Sequence, residues 1–509
     1  MKEIIISGKH LNLEEISDVC RHNVRVKLSK ESRERIIRSR DVVDELVESG
    51  RIVYGVTTGF GKFSDKIISK DDVKLLQKNL IMTHAVGAGP NLKIEEVRGV
   101  ILLRINNFAN GFSGIRLEVV ETMIDMLNKG VTPLVPQKGS LGASGDLAPL
   151  AHMVLPMIGL GLAEYQGKVY TGVEAMQMAK IPIIELQEKE GLALINGTQV
   201  MTAVGALVLY DAISLMKVAD IALALSFEAH GGIIDALQER MHTVRPHQGQ
   251  INTAKIVRQL LKNSRNVTHQ GETHTQDAYS LRCAPQVHGA SKDAINYILK
   301  EVNIEINSVT DNPIIFSDTK EGISGGNFHG QPMALCFDFL GIAMSELANI
   351  SERRIERMVN PSLSNLPAFL TEHGGVNSGF MIVQYSAASL VSENKVLSHP
   401  ASVDSIPSSA GQEDHVSMGT IAANKARTIL ENSRRVIAME LMCACQAIDL
   451  RGCKELGIGT KSAYQTIRSV IPRLYQDRPL FEDINTCESL IINHELINNV
   501  ESSIGEIIY

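Results

Sequence analysis

The sequence predicts a mainly α-helical protein built on a bundle of long helices, with a mixed N-terminal region. Apolar residues recur at three- and four-residue spacing over long runs at 281–309, 330–359 and 416–450, which is the pattern of an amphipathic helix. The chain shows neither an alternating strand–helix rhythm nor a GxGxxG motif, which argues against a doubly wound parallel sheet. Long helices of this kind pack side by side, so we expect a bundle.

No Pro-rich, Gly/Ser-rich or highly charged linker divides the 509 residues. We therefore expect an N-terminal region, 1–200, and a region of long and C-terminal helices, 201–509, tightly packed as one unit. Aromatic residues make up only 4% of the chain and Trp is absent, so the core is expected to be aliphatic.

Composition argues against several classes of protein. The formal net charge is -7 and the basic residues are scattered, which disfavours a nucleic-acid surface. The most apolar stretches, 147–163 and 218–227, are short or interrupted, so they predict buried helices rather than membrane spans. The seven cysteines form no CxxC pair, no Cys/His cluster has metal-ligand spacing, and the N-terminus carries no secretion signal. We therefore expect reduced thiols, no bound metal and a cytoplasmic protein.

The N-terminal region begins with a predicted extended segment, 3–8, followed by helices. Asn12 with Glu15 three residues later is a helix-capping pattern. The helical apolar period then predicts helices over 71–89, 94–129 and Val200 to about Leu237.

A glycine-rich segment, YGVTTGFG at 54–61, cannot form a regular helix. No GK[ST] follows it, so it is not a phosphate-binding loop. It is either a surface turn or a loop that brings Tyr54 and the backbone close to a ligand.

The chemistry of the chain centres on GSLGASGDLAPL at 139–150. Within Ala143-Ser144-Gly145, the unhindered amide nitrogen of Gly145 can approach the carbonyl carbon of Ala143. Attack and loss of water would close a five-membered ring, and loss of the Ser144 hydroxyl would leave an exocyclic methylidene. The product is 4-methylideneimidazol-5-one, an electrophile of a kind that side chains do not supply. For the bare tripeptide, a turn before a helix is the simpler interpretation.

Polar segments also precede other helices. Asn196 lies in a polar stretch, NGTQ, within an apolar run, which indicates either a helix start or amides that face a site. Similar polar loops lie at 269–277, 324–330 and 408–415, and helix starts of this kind suit anionic groups. Each is a capped helix entry or part of one shared site.

The stretch 139–150 and four further motifs together resemble the histidine and aromatic amino acid ammonia-lyase family, most closely its histidine branch. The matching motifs are QDAYSLRC at 276–283, GNFH at 326–329, the run from NP to LPAFL at 360–370, and QEDHVSMG at 412–419. The resemblance covers most of the chain. It implies a helical homotetramer with shared active sites and a 4-methylideneimidazol-5-one formed from Ala143-Ser144-Gly145, without pyridoxal phosphate or nucleotide. The implied reaction converts L-histidine to trans-urocanate and ammonia, the first step of histidine degradation.

The resemblance also assigns roles to residues. Tyr54 matches the catalytic base for the β proton, and Arg282 matches the residue that binds the substrate carboxylate, which suits a planar bidentate cation. The positions around the prosthetic ring and the substrate amine are Asn196, Gln276, Tyr279 and Phe328.

His84 and Glu413 match positions that contact the substrate imidazole. A lone histidine on a helix is more often a packing residue, so this role for His84 comes from the resemblance. A polar pair discriminates against a phenyl ring, which would leave both groups unpaired. The chain departs from the family pattern at Thr57, Thr83, Ala284 and Gly411, and Gly411 replaces an amide beside the Glu413 loop.

Two alternatives remain at this point. A lyase or aminomutase acting on tyrosine or phenylalanine would keep the chemistry and change the substrate. A catalytically silent helical scaffold would keep only the fold, although the intact set of Tyr54, Ser144, Asn196, Arg282 and Glu413 argues against it.

Overall fold

The computed structural model describes residues 2–53, 55, 56, 58, 59 and 70–509, and these form two compact units. The first comprises Met1–Tyr210, Leu299–Asp338 and Pro400–Lys425, and the second comprises Asp211–Ile298, Phe339–His399 and Ala426–Tyr509. The division into regions 1–200 and 201–509, packed as one unit, stays a prediction.

The first unit mixes short strands with helices, as the sequence predicts for the N-terminal region. Its strands are β1 Glu3–Ile6, β2 Arg25–Leu28, β3 Ala88–Asn91, β4 Thr132–Pro133, β5 Pro136–Lys138, β6 Leu162–Tyr165, β7 Lys168–Thr171, β8 Ile314–Phe316 and β9 Glu321–Ile323. Its helices are α1 Leu13–Arg21, α2 Lys30–Glu48, α3 Lys70–His84, α4 Ile94–Ala109, α5 Leu117–Lys129, α6 Leu147–Val154, α7 Gly172–Met178 and α8 Glu190–Ile195.

Four long helices contribute residues to both units: α9 Gln199–His230, α13 Ala284–Glu305, α14 Gln331–Val359 and α17 Gly419–Arg451. The remaining helices belong to the second unit and are α10 Glu239–Thr243, α11 Gln248–Leu260, α12 Tyr279–Arg282, α15 Pro361–Ser364, α16 Met381–Leu397, α18 Ile458–Val470, α19 Leu480–Ile492 and α20 Glu495–Ile504. The mainly α-helical architecture with long helices is confirmed.

The strands of the first unit form small separate sheets. Strands β1 and β2 pair in parallel, whereas β3–β5, β4–β6–β7 and β8–β9 are antiparallel. The β3–β5 pair leads directly into the segment 139–146, so this small sheet positions the start of the central stretch.

Helix boundaries follow local signals. The amide nitrogen of Glu15 donates to Asn12 Oδ1 at 2.9 Å, and that of Asn12 donates to Glu15 Oε2 at 3.3 Å, which confirms the predicted cap of α1. Helix α3 ends at His84 rather than at residue 89, because Ala88–Asn91 form strand β3, in which Gly89 adopts φ +82°. A side chain there would have to adopt a left-handed backbone conformation.

Two further predicted helices are shorter than the sequence indicated. The predicted helix 94–129 is two helices, α4 and α5, because Gly111 and Gly114 adopt φ values of +77° and +64° between them. Helix α9 ends at His230 rather than near residue 237, where Gly231 adopts φ +64°.

The core is aliphatic, as predicted. One helix in the described part of the chain, α14, is long and apolar enough by composition to cross a membrane, but 67% of its most apolar window is buried inside the protein. This burial fits a core helix. None of the seven cysteines is in a disulfide, and five of them are buried.

Candidate active site

The Ala143-Ser144-Gly145 tripeptide forms a tight turn between β5 and α6 in the first unit. Gly142 and Gly145 pair across the turn as an isolated antiparallel bridge. Ser144 has φ +51° and Gly145 has φ +81°, so a non-glycine residue lies in the left-handed region at the centre of the turn. The turn folds the chain back on itself, so Gly142 and Gly145 lie opposite one another.

A second glycine, Gly197, packs directly against this turn. A methyl group on Gly145 would lie 2.1 Å from the carbonyl oxygen of Gly197, so only glycine fits at position 145. The Gly197 amide donates to the Ser144 carbonyl at 3.2 Å, and the Asp146 amide donates to the Gly197 carbonyl at 2.8 Å. These contacts hold the backbone on both sides of Gly145.

Asn196 lies next to Gly197, between helices α8 and α9. It is 2% exposed, and its Nδ2 donates to the carbonyl oxygen of Asn312 at 3.2 Å. Its Oδ1 is buried and accepts no hydrogen bond from the residues that the structure describes. A buried acceptor without a partner is costly, so it marks a position where a ligand or prosthetic donor would be stabilised.

The buried guanidinium of Arg104 holds the backbone around Asn196. It donates to the carbonyl oxygens of Ala193 and Asn196, the latter at 2.7 Å, and to Gln199 Oε1 at 2.6 Å. Burial lowers the pKa of Arg104 to about 10. Arg104 therefore remains charged at neutral pH and fixes the bend between α8 and α9.

A cavity of about 240 Å³ in the first unit lies against the turn. Its lining includes Ala143 and Gly145 together with His84 and Glu413. Ser144 Oγ donates to Glu413 Oε1 at 3.3 Å. The structure thus brings together the turn and the two polar residues that the sequence singled out.

His84 is the last residue of α3 and is partly buried. Burial lowers the pKa of its imidazole below the ordinary value of 6.5, and the opposing effect of the Glu413 carboxylate is smaller. The His84 ring is therefore neutral at pH 7, and each of its nitrogens can act as a donor or an acceptor according to the tautomer.

The loop that carries Glu413 has an unusual backbone. Ser409, Ala410 and Gly411 have φ values of +50°, +54° and +84°. Because Gly411 lies in the left-handed region and no atom lies within 4 Å of its would-be Cβ, glycine suits this position without strain. Asn is among the few other residues that tolerate this conformation.

Phe328 lies in the turn that precedes α14 and is partly buried. The next residue, His329, donates its amide to the Gly326 carbonyl at 2.9 Å, and its ring stacks on that of His415 with centroids 5.6 Å apart. Within the first unit, the 326–329 and 412–419 motifs are therefore in contact.

The second unit carries the other predicted site residues. Gln276 and Arg282 line a cavity of about 640 Å³. Arg282 Nε donates to the Asp277 carbonyl at 2.8 Å, and its guanidinium lies 4.5 Å from the ring centroid of Tyr279, which is 70% exposed. These contacts fix the plane of the guanidinium beside the cavity.

A buried ionic network supports the short helix α12, on which Tyr279 and Arg282 lie. Arg354 Nη2 donates to Glu440 Oε2 at 2.8 Å, and Arg354 Nη1 donates to the Ser280 carbonyl at 3.4 Å. Both charged side chains are fully buried, so the pair is expected to be rigid.

Comparison with known proteins identifies the family. The family model for aromatic amino acid lyases matches residues 11–469 of this chain. The chain belongs to the aromatic amino acid lyase family. A histidine ammonia-lyase from Alkaliphilus oremlandii is 61% identical over 504 residues, which cover 99% of each chain.

Two solved structures share the fold of this lyase. The crystal structure of histidine ammonia-lyase from Trypanosoma cruzi has a TM-score of 0.93 and 42% identity, and the match covers 99% of this chain and 96% of that one. A tyrosine aminomutase from Streptomyces globisporus has a TM-score of 0.95 and 35% identity, with 99% and 100% covered. One of these proteins is named for histidine and the other for tyrosine, so the fold of this lyase does not decide its substrate.

Sequence reasoning missed the role of Asp146 in this lyase. Asp146 is fully buried, and its Oδ2 accepts from the amides of Val200 and Met201 at 3.0 and 2.9 Å, in the first turn of α9. Its Oδ1 accepts from the hydroxyls of Ser140, at 2.9 Å, and Thr420. Burial raises the pKa of this carboxyl, although the four hydrogen bonds oppose the shift. The only sequence signal was an aspartate directly after the tripeptide and before a helix.

Two of the predicted positions, Tyr54 and Thr57, lie outside the described residues of this lyase. Thr83 lines the 240 Å³ cavity beside His84, and Ala284 is fully buried at the start of α13. Among the residues that the structure describes, no group of three or more His, Cys, Asp or Glu side chains is arranged to hold a metal ion.

Proposed function

We propose that this lyase catalyses the non-oxidative deamination of L-histidine to trans-urocanate and ammonia, the first step of histidine degradation. The observation that carries this proposal is the cavity in which His84 and Glu413 lie beside Ala143 and Gly145. A neutral imidazole and a carboxylate together provide partners for both ring nitrogens of a histidine substrate. The ring of phenylalanine would leave both groups unpaired, so the site would select strongly against it.

The names of the relatives support the same substrate. The bacterial relative at 61% identity is a histidine ammonia-lyase, as is the solved structure from Trypanosoma cruzi. The tyrosine aminomutase has a similar fold but lower identity, 35%, to this chain. An enzyme acting on tyrosine or phenylalanine is therefore the alternative that the assay has to separate.

We further propose that Ala143, Ser144 and Gly145 cyclise to 4-methylideneimidazol-5-one, the prosthetic group on which the family depends. The residues fit this group. The turn is tight, Ser144 adopts a left-handed φ of +51°, and the carbonyl of Gly197 excludes a side chain at Gly145. The unpartnered Oδ1 of Asn196 lies next to Gly197 and supplies an acceptor. The group supplies an electrophilic carbon that ordinary side chains lack.

The remaining residues position the substrate and move a proton in this proposal. Tyr54 removes the proton from the β carbon, so its phenol must be held ready to lose a proton, because an ordinary tyrosine has a pKa of about 10. Arg282 binds the carboxylate, while Gln276, Tyr279 and Phe328 surround the reacting amine. The neutral His84 ring and Glu413 orient the imidazole.

The active enzyme is proposed to be a cytoplasmic homotetramer without nucleic-acid or membrane partners, in which active sites combine residues from different subunits. Tyr279 is 70% exposed and Gln276 is exposed in the single chain, which supports a site completed by another copy. Size-exclusion chromatography with light scattering should give about four times the 55.6 kDa chain mass. A monomer that is fully active would contradict the shared-site arrangement.

The test adds L-histidine to purified protein and follows absorbance in the urocanate band, beside a Ser144→Ala variant. The absorbance should increase with the wild-type protein and stay constant with the variant. Intact-mass measurement should show that the wild-type chain is lighter than its sequence mass by two waters. The variant has no hydroxyl at position 144, so it should not show the second loss of water. An increase in absorbance with both proteins would refute Ser144 as the source of the electrophile. Activity on tyrosine or phenylalanine instead of histidine would establish the alternative substrate, and no activity on any of the three would favour the scaffold.

A further inference from the structure

Ser408 lies directly against the carboxylate of Glu413. Its Oγ donates to Glu413 Oε2 at 2.8 Å. The backbones of the two residues also pair: the Ser408 amide donates to the Glu413 carbonyl at 2.9 Å, and the Glu413 amide donates to the Ser408 carbonyl at 3.3 Å. The six-residue loop is thus closed at its base by both backbone and side-chain contacts.

The two oxygens of the Glu413 carboxylate consequently have different surroundings. Oε2 is engaged by Ser408, whereas Oε1 accepts from Ser144 Oγ at 3.3 Å, on the side of the turn. Ser408 and Glu413 both line the 240 Å³ cavity. A hydrogen bond to one oxygen restricts rotation of the carboxylate, so it leaves the other in a fixed direction for a donor in the cavity.

The backbone between the two residues adds to this restriction. Ser409, Ala410 and Gly411 all have left-handed φ values, and the Gly411 amide donates to the Ser408 carbonyl at 3.0 Å. A compact loop of this kind has few alternative conformations. The position of Ser408 therefore constrains the position of Glu413.

We propose that Ser408 is a positioning residue for substrate specificity: its hydroxyl orients the Glu413 carboxylate towards the N–H of an imidazole substrate. This inference rests on the proposed function, because it assigns the imidazole ring to Glu413. Ser408 itself acts through Glu413 and takes no part in proton transfer.

The test compares Ser408→Ala, Ser408→Thr and Ser409→Ala in the purified full-length enzyme. Loss of one hydrogen bond to a charged group should lower kcat/KM for L-histidine about tenfold, with KM carrying most of the change. Ser408 has extended φ and ψ values of -134° and 179°, which a threonine adopts readily, so Ser408→Thr should restore activity to within about twofold of wild type. Ser409→Ala is the matched control, since the contacts described for Glu413 involve the Ser408 hydroxyl and not that of Ser409.

A double-mutant cycle separates positioning from a general structural role. Urocanate binding, measured by calorimetry, needs no turnover. Ser408→Ala should weaken it about tenfold in the wild-type background but less than twofold in a Glu413→Ala background, because the contact is already lost there. An equal loss in both backgrounds would overturn the proposal, as would wild-type KM in Ser408→Ala or an equal defect in Ser409→Ala.

Failure of the proposed function gives a different result. In that case the wild-type enzyme itself shows no urocanate formation from L-histidine. A wild type that is active on histidine, together with a Ser408→Ala variant that behaves like it, refutes only the positioning role.

Discussion

Replacing Asp146 by alanine should destabilise the protein far more than replacing it by asparagine. In the Ala variant, the amides of Val200 and Met201 lose their shared acceptor, Oδ2, at 3.0 and 2.9 Å in the native protein. Each buried donor left unsatisfied costs about 1–3 kcal/mol, so the two together cost about 2–6 kcal/mol. This is a large part of the ~5–15 kcal/mol that stabilises a typical folded protein.

The Asn variant keeps an acceptor for the two amides. Its NH₂ group would face the hydroxyls of Ser140 and Thr420, which can rotate and accept instead of donating. The lost negative charge at the start of α9 costs only about 0.3–1 kcal/mol. We therefore expect Asp146→Asn to lower the free energy of unfolding by about 1 kcal/mol.

Urea denaturation followed by far-UV circular dichroism measures both variants against wild type, and intact mass reports whether the tripeptide has lost two waters. The expected result is a large fall in the denaturation midpoint, with incomplete dehydration, for the Ala variant only. Equal losses in the two variants, or a change below about 1 kcal/mol for Asp146→Ala, would refute the argument that the backbone amides dominate.

Four further predictions follow from the site. Gly197→Ala should abolish activity and dehydration of the tripeptide, since its Cβ would lie 2.5 Å from a neighbouring side-chain oxygen. Gly167 also has a positive φ, but no atom lies within 4 Å of its would-be Cβ. Gly167→Ala should therefore lower the free energy of unfolding, measured by urea titration, by only about 1 kcal/mol. His84→Leu should lose the preference for histidine over phenylalanine in a substrate-competition assay. Since the folded-state pKa of His84 is lowered from 6.5, its contribution to stability is present above pH 6.5 and lost as pH falls through the lower folded-state pKa. The wild-type urea midpoint should therefore fall relative to that of His84→Leu between pH 8 and pH 5.5; a constant difference would contradict the shift. Arg282→Lys should raise KM for L-histidine at least about tenfold because a point charge replaces a planar fork, and Arg240→Lys in the same cavity is the control.

Much of the fold could be predicted from the sequence because helix periodicity is local. The runs at 330–359 and 416–450 correspond closely to α14 and α17, and the Asn12 cap of α1 is present. Predictions failed where glycines in left-handed conformations ended helices early, as at Gly111 and Gly231. A glycine in a sequence does not reveal its φ, which depends on the surrounding structure.

The site could be predicted only in part. Motif resemblance placed Ala143-Ser144-Gly145, His84 and Glu413 in one site. In the structure, Ala143, Gly145, His84 and Glu413 line one cavity in the first unit, and Ser144 donates a hydrogen bond to Glu413. The assignment of catalytic roles to these and the other site residues remains a prediction.

By itself, the sequence determined the helical class and the family, and it predicted the tripeptide that we propose to cyclise, because each depends on residue type and local spacing. Only the tertiary structure decided what surrounds that tripeptide. Asp146 accepts hydrogen bonds from amides 54 and 55 residues later in the chain, and Gly197 packs its carbonyl where a side chain on Gly145 would lie. One partner in each of these contacts is a backbone amide or carbonyl, which nearly every residue carries, so no residue pattern records them, and they exist only once the helices have packed.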